Sequence, residues 1–226
     1  MRTIPREVYS QIKSSFNINS EQKAVLLGTL LGDGGIRQKG RFARLHIKHS
    51  LKQLPLVEYK KKIFSNIVTM NISVFTQKVG KVDYNFAEFV TLTHPTFLEY
   101  YNLFYPNKKK IIPKNIEQLL TDPLSLAIWI MDDGAAEYAG ISIQTHSFSK
   151  NEVDLLRKTI TKNFGIETGR KLNKGKWIIY FPKASLSNLR NQIDEFMLEE
   201  FKYKLIPYSK RRVNPVETTR QRPILG

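Results

Sequence analysis

The sequence predicts an α+β fold made of two pseudo-symmetric αββαββα halves. Three observations carry that expectation: an apolar helical segment that occurs twice, an acidic residue and glycine closing each copy, and matching landmarks in the same order afterwards. The copies are Val25-Leu26-Leu27-Gly28-Thr29-Leu30-Leu31-Gly32-Asp33-Gly34 and Leu126-Ala127-Ile128-Trp129-Ile130-Met131-Asp132-Asp133-Gly134. Asp33 and Asp133 lie a hundred residues apart. Each is followed by a similar triplet, Lys48-His49-Ser50 or Thr145-His146-Ser147. Later in each half comes a lysine in the same setting, Lys110-Ile111-Ile112-Pro113 or Lys204-Leu205-Ile206-Pro207.

The elements follow in order. Asn19 or Ser20 can cap a first helix running to Asp33, where Gly34-Gly35 would end it. Strands are expected around 41–48, 72–78 and 84–92, with helices around 54–70 and from about Pro95. In the second half Asp122 is the expected N-cap, with Pro123 at the first helical position and Gly134 as the stop. Strands at about 140–146, 167–172 and 177–181 flank a helix at 152–164 and precede one at 185–201. Antiparallel sheets with helices on one face account for this order. The division is 1–113 and 114–207 for the halves, and 208–226 for a basic tail without apolar periodicity, read as a flexible arm with affinity for a phosphate backbone.

The 226 residues, 41% of them hydrophobic, suffice for a substantial core. Lysine and arginine number 36 against 20 acidic residues, a formal net charge of +16 that points to a polyanionic partner. Charge alone does not separate an enzyme from a passive binder. With no cysteine, disulfides, thiolate zinc sites and cysteine catalysis are excluded, and splicing of the intein kind is disfavoured. The start lacks the apolar core of a signal peptide, and the apolar stretches near 24–32 and 124–131 are too short to span a bilayer. An intracellular protein with no membrane partner is expected, in an organelle matrix or a prokaryotic cytoplasm.

Both repeated helices are apolar nearly all round, which calls for burial on more than one side. If they pack side by side, Asp33 and Asp133 meet at their C-terminal ends. Two carboxylates there repel each other and the helix dipoles unless a cation lies between them. Magnesium, or another divalent ion such as manganese, suits such oxygen donors. A single Asp-Gly is ordinarily only a turn; two copies on matched buried helices are not explained by turn chemistry. Asp132 or Asp133 could each be the second ligand, and alignment with Asp33 favours Asp133.

At this point the segments resemble the two motifs of single-chain LAGLIDADG homing endonucleases, in particular the intron-encoded class typified by the yeast mitochondrial omega-intron enzyme. The resemblance runs from about Gln22 to Pro207. It implies motif helices packed at the centre, a saddle of antiparallel strands laid into the DNA major groove, and metal-dependent hydrolysis of both strands to leave 3′ overhangs. Metal-binding acids then map to Asp33 and Asp133, with backbone carbonyls from Gly32 and Asp132, and Lys110 and Lys204 map to lysines beside the scissile phosphates. Gln144 maps to a polar residue that orders active-site water. The triplets align it with Ile47 in the first half, and align His49 with His146. The histidines are read as structural. The small residues Gly28 and Gly32 align with Ile128 and Asp132, so helix packing is not expected to be strictly symmetric.

Charge is concentrated in the expected hairpins: Arg37, Gln38, Lys39, Arg41, Arg44 and Lys48 in the first, Gln77, Lys78 and Lys81 in the next, and Arg170, Lys171, Asn173, Lys174 and Lys176 in a late one. Arginine can pair with guanine edges and glutamine or asparagine with adenine, so these are the candidate contacts to double-stranded DNA. Because one chain holds both halves, a monomer acting on a long asymmetric site is expected. An intron RNA maturase, or a non-cleaving binder on the same scaffold, is the alternative.

Overall fold

A computed structural model describes residues 5–210 of the chain. The first half contains α1 (Arg6–Ser15), α2 (Ser20–Leu31), β1 (Gly35–Lys39), β2 (Phe42–Ser50), α3 (Leu54–Ile63), β3 (Ser73–Val79), β4 (Val82–Val90) and α4 (Pro95–Phe104). A short α5 (Ile116–Leu119) leads into the second half. There follow α6 (Pro123–Asp133), β5 (Gly134–Ala136), β6 (Gly140–Ile143), α7 (Lys150–Phe164), β7 (Gly169–Asn173), β8 (Lys176–Pro182) and α8 (Leu186–Ile193). Two four-stranded antiparallel sheets result, ordered β1-β2-β4-β3 and β5-β6-β8-β7. Each half therefore repeats the other's topology, as the α+β expectation requires. Among the described residues no helix is long and apolar enough to cross a membrane.

The central helices begin where the sequence says they should. Asn19 accepts from the Gln22 amide and the Gln22 side chain returns the bond, a capping box at α2. Asp122 accepts from the Leu124 amide at α6, with Pro123 in the first turn. Along α2, Ala24 through Leu31 are all buried, as are Leu124 through Asp132 along α6. Their packing is asymmetric in a complementary way. A Cβ at Gly28 would stand 2.7 Å from the Ile128 Cβ, and one at Gly32 would stand 2.5 Å from Asp132 Oδ2. Glycine on one helix thus makes room for the bulkier residue on the other, and Ser125 Oγ donates to the Ala24 carbonyl at 3.0 Å across the seam.

Some boundaries differ from expectation. α2 ends at Leu31 with Gly32 as its C-cap, so Asp33 lies just past the helix, whereas Asp133 is the last residue of α6. α3 stops at Ile63 instead of continuing to 70, because the Gln22 side chain donates to the Ile63 carbonyl and to Asn66, satisfying the helix end from outside. The expected 185–201 helix is α8 followed by 3-10 turns at Asp194–Phe196 and Glu199–Leu205. The expected strand at 140–146 stops at Ile143. Strands β1 and β5 and helices α1 and α5 lie outside the ranges expected from the sequence. The basic tail from 211 onward lies outside the described residues.

Candidate active site and nucleic-acid face

Asp33 and Asp133 converge where the C-terminal ends of α2 and α6 meet. About half of the Asp33 side chain is exposed (51%), while Asp133 is partly covered. Burial, then the Asp33 and Asp132 charges, push the Asp133 carboxyl up to about 8. Partial burial and the Asp132 charge raise Asp33 as well. Asp33 is therefore close enough to oppose the ionisation of Asp133, and Asp132 opposes that of both, the condition that a cation relieves.

The matched lysines occupy matched positions. Lys110 Nζ donates to the Gly32 carbonyl at 2.7 Å and to the Gly34 carbonyl at 3.2 Å. Lys204 Nζ donates to the Met131 carbonyl at 2.6 Å and to the Asp132 carbonyl at 3.0 Å. In each half an ammonium thus sits on the carbonyl of the residue preceding the aspartate. Burial lowers the pKa of both lysines, partly offset by the surrounding aspartates. The Gly32 and Asp132 carbonyls, which the family resemblance implies as metal donors, thus face positive charge.

Asp132 is a different kind of acid from Asp133. Its side chain has no exposure and receives Lys60 Nζ at 2.6 and 2.9 Å. Lys60, on α3, is equally enclosed. Asp132 therefore has its carboxylate committed, which leaves Asp133 as the acid available to the site. His49 joins this group: Nε2 lies 3.6 Å from Asp132 Oδ1 and 3.4 Å from Lys60 Nζ, and Nδ1 lies 3.7 Å from Asp33 Oδ2 and 3.2 Å from Gln53 Oε1. Burial drives the His49 pKa down, which favours the neutral ring. Sequence reasoning missed Lys60 inside the run Lys60-Lys61-Lys62. Its signal was position, since Lys60 falls on the same helical face as Leu56 and Val57, both fully buried.

Sheet register corrects one alignment. Gly134 pairs with Ile143, while Gly35 pairs with His46. With Asp33 matched to Asp133, Ile143 corresponds to Ile47, Gln144 to Lys48 and Thr145 to His49. Gln144 was matched to Ile47 and His49 to His146, each one residue off. The β5–β6 connection is shorter than the β1–β2 one from aspartate to triplet, and a one-residue slip exchanges the faces of a strand. Gln144 therefore projects from the open face: its Nε2 donates to Ser142 Oγ at 3.0 Å and its Oε1 accepts from Asn173 at 3.1 Å. Its backbone amide donates to the Asp133 carbonyl at 3.0 Å.

The open faces of the sheets lie opposite the helices. In the first, Ala43, Leu45, Ile47 and His49 of β2 turn inward, and Arg44, His46 and Lys48 turn outward. Arg37 pairs with Arg44, Lys39 with Phe42, and Gln77 with Tyr84, so Arg37, Lys39, Arg44, Lys48 and Gln77 share this face. Lys48 lies over Phe86 at 4.1 Å and over Phe75 at 5.1 Å, and His46 bonds Glu88 at 2.9 Å. Gln38 and Lys78 sit opposite Ala43 and Asp83, on the other alternation. Arg41 and Lys81 occupy the hairpin turns. In the second sheet Lys171, Asn173 and Lys176 share the open face, and Lys171 reaches Glu137 at 2.9 Å. Lys174 is at the turn with φ 50°. Arg170 is a correction: it pairs with Ile179 on the inward face and its guanidinium is held by Asp154 of α7, so it does not point toward the groove.

Two apolar helices meeting at paired aspartates, beneath two matching sheets that present basic residues, define a fold built around a shared acidic centre. The chain belongs to the LAGLIDADG DNA endonuclease family, whose profile matches residues 23–189. Over 197 residues it is 29% identical to a probable intron-encoded endonuclease 1 of Wickerhamomyces canadensis, covering 82% of this chain and 84% of that one. Over 207 residues it is 28% identical to the cytochrome b mRNA maturase bI2 of Saccharomyces cerevisiae, covering 84% of this chain but 48% of that longer one. A solved structure of the homing endonuclease I-WcaI bound to its DNA recognition sequence matches with a TM-score of 0.83 at 25% identity, covering 92% and 95% of the two chains.

Proposed function

We propose that this chain is a site-specific double-strand DNA endonuclease that acts as a monomer and hydrolyses one phosphodiester in each strand, leaving 3′ overhangs. The observation that carries the reading is the doubled arrangement of an aspartate following a carbonyl that bears a lysine: Asp33 with Gly32 and Lys110, Asp133 with Asp132 and Lys204. A passive binder has no use for acids facing a phosphate.

The donor set fits a hard divalent cation. The site offers two carboxylates whose ionisation is opposed by burial and by neighbouring negative charge, beside the Gly32 and Asp132 carbonyls, each already accepting from an ammonium group. Among the described residues no group of three or more His, Cys, Asp or Glu could hold a metal, so water and phosphate oxygens would complete the shell, as magnesium prefers. A metal bound by Asp33, Asp133 and the Gly32 and Asp132 carbonyls would supply Lewis-acid polarisation of the phosphate and an acidified water. The protein's own groups do the rest. Lys110 and Lys204 bring positive charge to the phosphate as the water oxygen bonds to phosphorus and the bond to the 3′ oxygen breaks. Gln144, fixed by Ser142 and Asn173, offers a polar edge beside Asp133. Arg37, Lys39, Arg44, Lys48, Gln77, Lys171, Asn173 and Lys176 line the open faces for duplex DNA, with Arg41, Lys81 and Lys174 at the turns for backbone contacts.

The match to a cytochrome b mRNA maturase motivates a second reading, assistance to intron RNA folding. Incubating the protein with a randomised duplex library in magnesium separates the two. The endonuclease reading expects a small set of related sequences to be cut with 3′ overhangs and chelation to stop the reaction. Specific binding of a structured intron RNA with no duplex cut would support the maturase.

A further inference from the structure

We propose that the buried Lys60–Asp132 pair fixes the proton of His49 on Nδ1, the ring edge on the side of Gln53 and Asp33, and so makes His49 a positioning residue for the Asp33 side of the shared site with no counterpart on the Asp133 side. The inference rests on the endonuclease reading, but its chemistry begins with hydrogen-bond inventory. An ammonium has three donors and no acceptor. Lys60 gives two to the Asp132 oxygens at 2.6 and 2.9 Å, and its third faces His49 Nε2 at 3.4 Å. Nε2 must then present its lone pair, so the ring proton is on Nδ1. There its hydrogen-bond acceptor is Gln53 Oε1 at 3.2 Å, and the Asp33 carboxylate stands beyond hydrogen-bond reach at 3.7 Å, where the polarity of that ring edge still acts on its charge. A buried carboxylate of one half thereby sets, through a lysine and a histidine of the other, which ring edge carries the proton on the side of Gln53 and Asp33.

Nothing equivalent serves Asp133. The position matching Asp132 is Gly32, which has no side chain, and a Cβ there would collide with the Asp132 carboxylate. The position matching His49 is Thr145, whose hydroxyl donates away from the site to the Trp177 carbonyl at 2.9 Å. Lys60, Asp132 and His49 have little or no exposure, so water does not substitute for any member. Groups that orient ligands in this way typically change activity about 10- to 100-fold when removed.

Two measurements test this on the full chain. In the first, protein carrying 15N-histidine is examined without DNA by two-bond proton–nitrogen correlation, with His49→Gln assigning the signal. The expected result is an Nδ1–H ring for His49 that loses this form in the double variant Lys60→Met, Asp132→Ala, which leaves no buried charge unpaired. An Nε2–H ring in the unaltered protein overturns the inference. In the second, a duplex recovered from the library is labelled on each strand in turn. His49→Gln is expected to slow cleavage of the duplex about 10- to 100-fold and Thr145→Val, at the matching position of the other half, to leave it within about twofold, whereas equal slowing by the two variants, or none by His49→Gln, contradicts the proposal. If the unaltered protein cuts no duplex, the endonuclease reading falls and the ring proton alone decides this one.

Discussion

The first and second halves share strand order, a lysine on the carbonyl before the aspartate, and an open sheet face, yet they differ at the residue preceding each aspartate. Gly32 stands in one half and Asp132 in the other, and the pair meets across the seam of α2 and α6. Duplication retained symmetry where the site needs two of something, two acids and two lysines. It broke symmetry where the helices touch, because one gap holds a single large side chain. The extra carboxylate that fills the gap is enclosed, and Lys60 is the cation that compensates it.

That comparison can be broken most sharply at Lys60. Replacing it by methionine leaves Asp132 buried and unpaired, with an expected loss of about 3–5 kcal/mol in denaturant unfolding. Adding Asp132→Ala should recover most of this, and failure to recover would mean that Lys60 acts through packing alone. Next come the symmetric lysines. Lys110→Met and Lys204→Met should each reduce cleavage roughly 100-fold while DNA binding persists, and an effect confined to one of them would show that the halves differ in chemistry as well as packing. Gly32→Ala forces a methyl against the Asp132 carboxylate and should cost about 1–3 kcal/mol by overpacking. In a Gly32→Ala, Asp132→Ala background the penalty should shrink, as thermal melting would report.

A further effect is on pH. Burial, then the Asp33 and Asp132 charges, push the folded Asp133 carboxyl up to about 8 from the ordinary carboxylate value of 3.8, so the folded state holds a proton that the unfolded chain has already lost. Its contribution to stability is complete below the unfolded pKa and is lost as pH rises from about 4 toward 8. Asp133→Asn should therefore gain stability over the unaltered, metal-free protein progressively across that window. A constant difference would place the Asp133 pKa at its ordinary value.

Much of this was legible in the sequence. The repeat located both aspartates and both lysines because each is tied to a local pattern, an apolar helix ending in glycine or a lysine before an apolar pair and proline. The capping residues Asn19 and Asp122 were equally local. What escaped notice depended on tertiary contacts. Lys60 reads as one of three solvated lysines until α3 is laid against α6, and His49 reads as a lone strand histidine until Asp132 arrives from the other half. Arg170 looked like a groove residue because strand alternation could not be phased without the β7–β8 register. The same missing phase misaligned Gln144 by one position. The end of α3 was set by Gln22, a residue distant in sequence.

The central claim is that Asp33 and Asp133 form one shared site for cutting DNA. The measurement that tests it most directly is cleavage of a library-recovered duplex in magnesium by the unaltered chain, Asp33→Asn and Asp133→Asn, with binding measured in parallel. The account expects the unaltered chain to cut both strands, and each variant to bind the duplex while cutting about a thousandfold more slowly. Cleavage surviving in both variants would make the two aspartates no more than the ends of two packed helices.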